Sequence, residues 1–134
     1  MRVTTSLLAD AATVCDGKLY IHGAGWDTIN SSVVPMVHPS IAVVFVLEVD
    51  PVDEDHRSIE IRLVDDADAM LVGVKGHVGV SEPSKVVPGT TTNLPVALTF
   101  PTVSFPHAGT YRFVLLINDA EIHSLKLSVV AVSG

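Results

Sequence analysis

The chain has 134 residues, 48% of them hydrophobic, and a formal net charge of −7; its mean hydropathy is +0.46. That length fits one domain, 1–134, with a single core, and that apolar content excludes a disordered chain. The 8 Lys and Arg residues are scattered and form no basic stripe, so neither nucleic acid nor an anionic membrane surface is an expected partner.

In chain order, period-two alternation dominates and no stretch has helical periodicity. A first strand is expected over Val3–Ala9. Asp10 interrupts the apolar residues there, so no export-type hydrophobic region forms. No apolar run approaches the roughly 20 residues of a spanning helix. With Cys15 as the lone cysteine, no intramolecular disulfide is possible, and a cytoplasmic location is expected. Cys15-Asp16-Gly17-Lys18 reads as a turn into a second strand, Lys18–Ile29. Within it, Gly23 and Gly25 predict a bulge ahead of Trp26, whose indole is expected to be buried with its N–H paired.

A third strand follows over Ser40–Val49 and, past Asp50-Pro51, a fourth over Arg57–Val64, where Ile59, Ile61 and Leu63 share one face. Asp65-Asp66-Ala67-Asp68 is a turn into a fifth strand, Met70–Val80, whose Gly73, Gly76 and Gly79 mark bulges or a weak edge. In the sixth, Leu94–Phe100, Pro95 lacks an N–H and belongs at a strand start or a sheet edge. The seventh, Thr110–Ile117, and the eighth, Glu121–Val132, flank Asn118-Asp119, residues that tolerate φ > 0 and predict a tight hairpin. About eight short strands with turn punctuation predict an all-β fold: a single antiparallel β-sandwich of the immunoglobulin or fibronectin kind.

Two resemblances bear on this. His107-Ala-Gly-Thr-Tyr111 resembles the tyrosine corner of immunoglobulin-like domains, in which a tyrosine hydroxyl turns back onto upstream backbone. The disulfide cysteine expected two residues on is Phe113, and no tryptophan stands on Ser40–Val49. The resemblance implies a fold and a structural role for Tyr111, and no activity. Leu8-Ala9-Asp10-Ala11, Gly17-Lys18-Leu19-Tyr20-Ile21 and the stretch from Gly23 to Ile29 resemble the opening of an uncharacterised family of small bacterial and phage proteins. That family implies no reaction and no site.

Few residues are arranged for chemistry. His22-Gly23-Ala24-Gly25 resembles the oxyanion-hole segment of certain esterases, but the chain has no Gly-x-Ser-x-Gly elbow. None of the 6 histidines pairs at metal-ligand spacing, although His38 and His107 can share one end of a sandwich with Asp65, Asp66 and Asp68. If successive strands alternate, a second end gathers Asp10, Asp16, Asp50, Asp53, Glu54, Asp55, Glu82, Asp119 and Glu121. Those acids show no calcium-ligand register and read as a solvated rim. No catalytic residue, metal ligand or cofactor is therefore assigned.

What remains is surface. With Tyr111, Phe113, Leu115 and Ile117 turned inward, Val114 and Leu116 turn outward; Val44 and Val46 do the same on Ser40–Val49. If the two strands are neighbours, these four residues merge into an apolar patch, which predicts an interface. The expected function is a non-catalytic binding or assembly module. It would act through its sheet surface, as a homo-oligomer or as a phage or cellular structural component, with itself or another protein as partner. The competing expectation is a small metal-dependent or hydrolytic enzyme using loop His and Asp residues.

Overall fold

The computed structural model describes residues 2–33, 35–49, 56–79 and 92–132. Most of them are extended: β1 (Arg2–Cys15), β2 (Lys18–Ala24), β3 (Thr28–Ser31), β4 (Met36–His38), β5 (Ile41–Val49), β6 (His56–Val64), β7 (Met70–Gly79), β8 (Thr92–Phe100), β9 (Val103–Phe105), β10 (Gly109–Ile117) and β11 (Ala120–Ala131). The protein is all-β, and among the described residues no helix is long and apolar enough to cross a membrane.

The strands form a sheet in the order β2-β1-β5-β8, a second in the order β3-β11-β10-β6-β7, and a small pair, β4-β9. Three differences from the expected eight antiparallel strands have local causes. β1 does not stop at Ala9 but runs on to Cys15, where Asp16 (φ 52°) and Gly17 (φ 72°) make a tight left-handed turn into β2. The expected strand Lys18–Ile29 is broken because Gly23 (φ 65°) and Gly25 (φ 96°) leave the extended region. The chain then crosses to the other sheet, where β3 pairs in parallel with β11 from Thr28↔Ser128 to Ser31↔Ala131. The short pair β4-β9, Met36↔Phe105 to His38↔Val103, has too few residues to show a period of two.

Other local expectations match. Asn118 (φ 49°) and Asp119 (φ 67°) form the two-residue turn between β10 and β11. Pro95 lies on β8, at the edge of the four-stranded sheet, the position where a sheet tolerates proline. The glycine-bearing strand β7 is likewise an edge. β2 touches β8 although two strands separate them in the pairing order. A flat sheet would hold them about 14 Å apart, three interstrand spacings, so this sheet is strongly curled.

The two large sheets share one core. Ile41, Val43, Phe45 and Leu47 of β5 meet Tyr111, Phe113, Leu115 and Ile117 of β10 in a single buried cluster. Across the layer the rings of Phe100 and Phe113 stand 5.3 Å apart. The joint apolar patch expected of Val44, Val46, Val114 and Leu116 is not formed, because β5 and β10 belong to different sheets. Val44 is 0% exposed, Val46 is half-buried, and Val114 and Leu116, each 7% exposed, pack with Val64 in a small second cluster.

On the same outer face Arg62 Nη2 lies 2.8 Å from Glu60 Oε1. That guanidinium, outweighing burial, holds the Glu60 carboxyl below its usual range.

Phe113 is 0% exposed at the centre of the shared cluster. Phe113→Ala should cost about 3–5 kcal/mol, read as a lower urea midpoint at unchanged slope.

Candidate functional site

The β6–β7 turn and the segment leading into β10 come together at one end of the molecule, because Val64 pairs with Arg112 and places residues 65–69 beside the start of β10. Tyr111 is fully buried there. Its hydroxyl donates to the His107 carbonyl at 2.6 Å, four residues upstream, and stands 3.4 Å from His107 Nδ1. The phenol ring meets Phe105 edge-on at 4.9 Å and stacks with the His107 imidazole at 5.6 Å. Burial raises the Tyr111 phenol above its ordinary value; the hydrogen bond to the His107 carbonyl opposes this, and the charges of Asp65 and Asp66 add to it.

The facing turn is built by Asp65. Its Oδ1 accepts from the Ala67 and Ala69 amides, each at 2.9 Å, while its own amide donates to the Ala69 carbonyl at 3.0 Å. Asp68 adopts φ 60°. Arg112, projecting from β10, donates to Asp68 Oδ1 at 2.7 Å and to Glu121 Oε1 at 3.3 Å. One carboxylate oxygen each from Asp65 and Asp66 and one ring nitrogen of His107 lie within 4.8 Å of one another. A cleft of about 440 Å³ is lined by Leu71, Val72, Thr102, Val103, Ser104 and Pro106, the last of these next to His107 in sequence. Such a cluster can ligate a cation or bind a polar ligand.

His38 occupies the same end but takes no part in this cluster; its ring stands 5.9 Å from that of Trp26. Trp26 is half-buried against the core and its Nε1 donates to the Gly23 carbonyl at 2.7 Å. The esterase-like glycines thus shape the break after β2. A Cβ on Gly23 would collide with the Asp10 side chain.

The expected acidic end does not assemble as drawn. Ala9 pairs with Ala42, whereas Asn118 lies beside Ser58, so Asp10 and Asp16 sit at the opposite end from Asp119. The break at Gly25 adds a strand reversal that a count based on one Lys18–Ile29 strand omits. Asp50, Asp53, Glu54, Asp55 and Glu82 lie outside the described residues.

One polar pair had no sequence signal. Ser6 Oγ on β1 and His123 Nε2 on β11 are 2.8 Å apart, across 117 residues and between the two sheets. The His123 ring stands edge-on to Phe45 at 5.9 Å. Among the described residues no carboxylate hydrogen-bonds the other ring nitrogen, so the pair reads as a tie between the layers.

The Family of unknown function (DUF6941) matches residues 4–130, and the chain belongs to that family. No curated protein matches it. Among solved structures it is similar to Pseudomonas fluorescens alkylpurine DNA glycosylase AlkC bound to DNA containing an abasic site analog. The TM-score is 0.43 and the identity 12%, over 78% of this chain and 28% of that one. The chain therefore spans less than a third of that protein's length, and a likeness of this strength assigns no function. That structure is bound to DNA, so the expectation that nucleic acid is no partner, drawn from scattered Lys and Arg residues that form no basic stripe along the sequence, is not retained.

Tyr111→Phe removes one buried hydrogen bond and leaves the ring packing intact. The expected cost is about 0.5–1.5 kcal/mol, measured as a lower denaturation midpoint; an unchanged midpoint would remove the corner from the stability of the fold.

Proposed function

We propose that the chain is a non-catalytic binding or assembly module on an immunoglobulin-like β-sandwich, acting through the β1–β2 ribbon at the edge of its four-stranded sheet. Strand order supports the framework. β10 lies between β11 and β6 as strand F lies between G and C, and β5 lies between β1 and β8 as B lies between A and E. In this assignment Ser40–Val49 takes the role of B and Arg57–Val64 that of C. Tyr111, at the start of the F-like strand, then stands where the tyrosine corner belongs.

The exposure of the ribbon carries the binding reading. Past Ala9, β1 loses β5 as a neighbour and pairs only with β2, through to Cys15↔Lys18. Within β1 and β2 beyond that point only Ala12, Leu19 and Ile21 are half-buried, while Tyr20 is 55% exposed and Val14 38%. A two-stranded ribbon is marginal alone in water, and exposed tyrosine is typical of recognition surfaces. This ribbon replaces the sheet-face patch as the surface through which the module acts.

The alternative, a metal-dependent or hydrolytic enzyme using loop His and Asp residues, has one observation in its favour: the convergence of Asp65, Asp66 and His107. That convergence offers three potential ligand atoms and no nucleophile, since the neighbouring hydroxyl, Tyr111, is committed to the His107 carbonyl.

A photo-crosslinking residue in place of Tyr20 should give a discrete adduct in cells, and the same residue in place of Lys126, on β11, should give none. No adduct from position 20, or the same adduct from both positions, contradicts the reading.

A further inference from the structure

We propose that Asp65, Asp66 and His107 form a binding site for a divalent transition-metal ion of the zinc class. The ligand types fit that class: two carboxylates and an imidazole make a mixed oxygen and nitrogen set, whereas calcium and magnesium favour oxygen alone. The spacing fits as well. Ligand atoms at about 2.0–2.2 Å from a tetrahedral zinc stand about 3.4 Å from one another, and the three atoms here already lie within 4.8 Å of one another.

The ligands come from two turns about forty residues apart, each fixed independently of any ion. Asp65 uses Oδ1 to hold the Ala67 and Ala69 amides, which leaves Oδ2 for a cation. His107 is held through its carbonyl by Tyr111, so its ring is carried on anchored backbone.

Charge gives a second and separate reason. Asp68, the third acid of the turn, is neutralised by Arg112 at 2.7 Å. Among the described residues no Lys or Arg reaches Asp65 or Asp66 within the 4.0 Å that defines an ion pair. Two carboxylates side by side without a cation repel each other, and a dication between them turns that repulsion into attraction. Three protein ligands leave a tetrahedral ion one open position, and the cleft walled by Pro106 begins one residue before His107.

The test is calorimetric titration of zinc chloride into the full chain after chelator treatment, with melting temperature as a second readout. Wild type should bind one zinc ion per chain and melt roughly 5 °C or more higher at saturation. His107→Ala and Asp66→Asn should each weaken binding at least tenfold, and His22→Ala should leave it unchanged. Asp66 carries none of the hydrogen bonds that build the corner, so Asp66→Asn tests the site even if His107→Ala perturbs the fold. Absence of zinc binding, wild-type affinity in both ligand variants, or greater stabilisation by calcium than by zinc would overturn the proposal.

Discussion

The hydrogen bond from the Tyr111 hydroxyl to the His107 carbonyl, 2.6 Å long, is the constraint on which the organised end of this molecule depends. A phenol with no solvent access must find a partner inside, because an unpaired buried hydroxyl costs about 1–3 kcal/mol. The partner it finds is backbone at the entrance to β10. That single bond fixes where the chain enters the strand and carries the His107 ring to the β6–β7 turn. Arg112, the next residue of the same strand, fastens that turn from the other side through Asp68.

From this anchor, order grades outward. β10 is central in its sheet and buried on both faces, with Phe113 and Leu115 in the shared core and Val114 and Leu116 in the smaller outer cluster. The Ser6–His123 pair and the Phe100–Phe113 contact tie the second sheet to this centre. The far part of the β1–β2 ribbon has no such cover. The molecule therefore combines a hydrogen-bonded corner, which gathers Asp65, Asp66 and His107, with a thin exposed ribbon, the surface through which it is proposed to act.

Much of the fold was legible because side-chain alternation survives wherever one face is buried. Ile59, Ile61 and Leu63, and the row from Tyr111 to Ile117, sort to the core as their period of two requires. The Asn118-Asp119 turn and the Pro95 edge were readable from backbone chemistry alone. The break between β2 and β3 was not, because two glycines signal a bulge and a chain reversal alike; only the φ values of Gly23 and Gly25 separate them. That one ambiguity propagated. It hid the crossing from one sheet to the other, so that Val44 and Val46 were joined to Val114 and Leu116 in a patch that does not form and Asp10 and Asp16 were placed at the wrong end. The grouping of Asp65 and Asp66 with His107 survived because it depended only on the strands after Val64. The exclusion of nucleic acid rested on where Lys and Arg fall along the chain, which does not show how those charges cluster on the folded surface.

Amide hydrogen exchange resolved by residue tests the central claim most directly. If the Tyr111 corner and the two-sided burial of β10 set the stability of the whole molecule, the amides of Phe113 to Leu116 should exchange only through global unfolding. Those of Thr13 to His22 should exchange orders of magnitude faster through local opening. Equal protection of the ribbon and of β10, or exchange of β10 by local opening, would contradict the account.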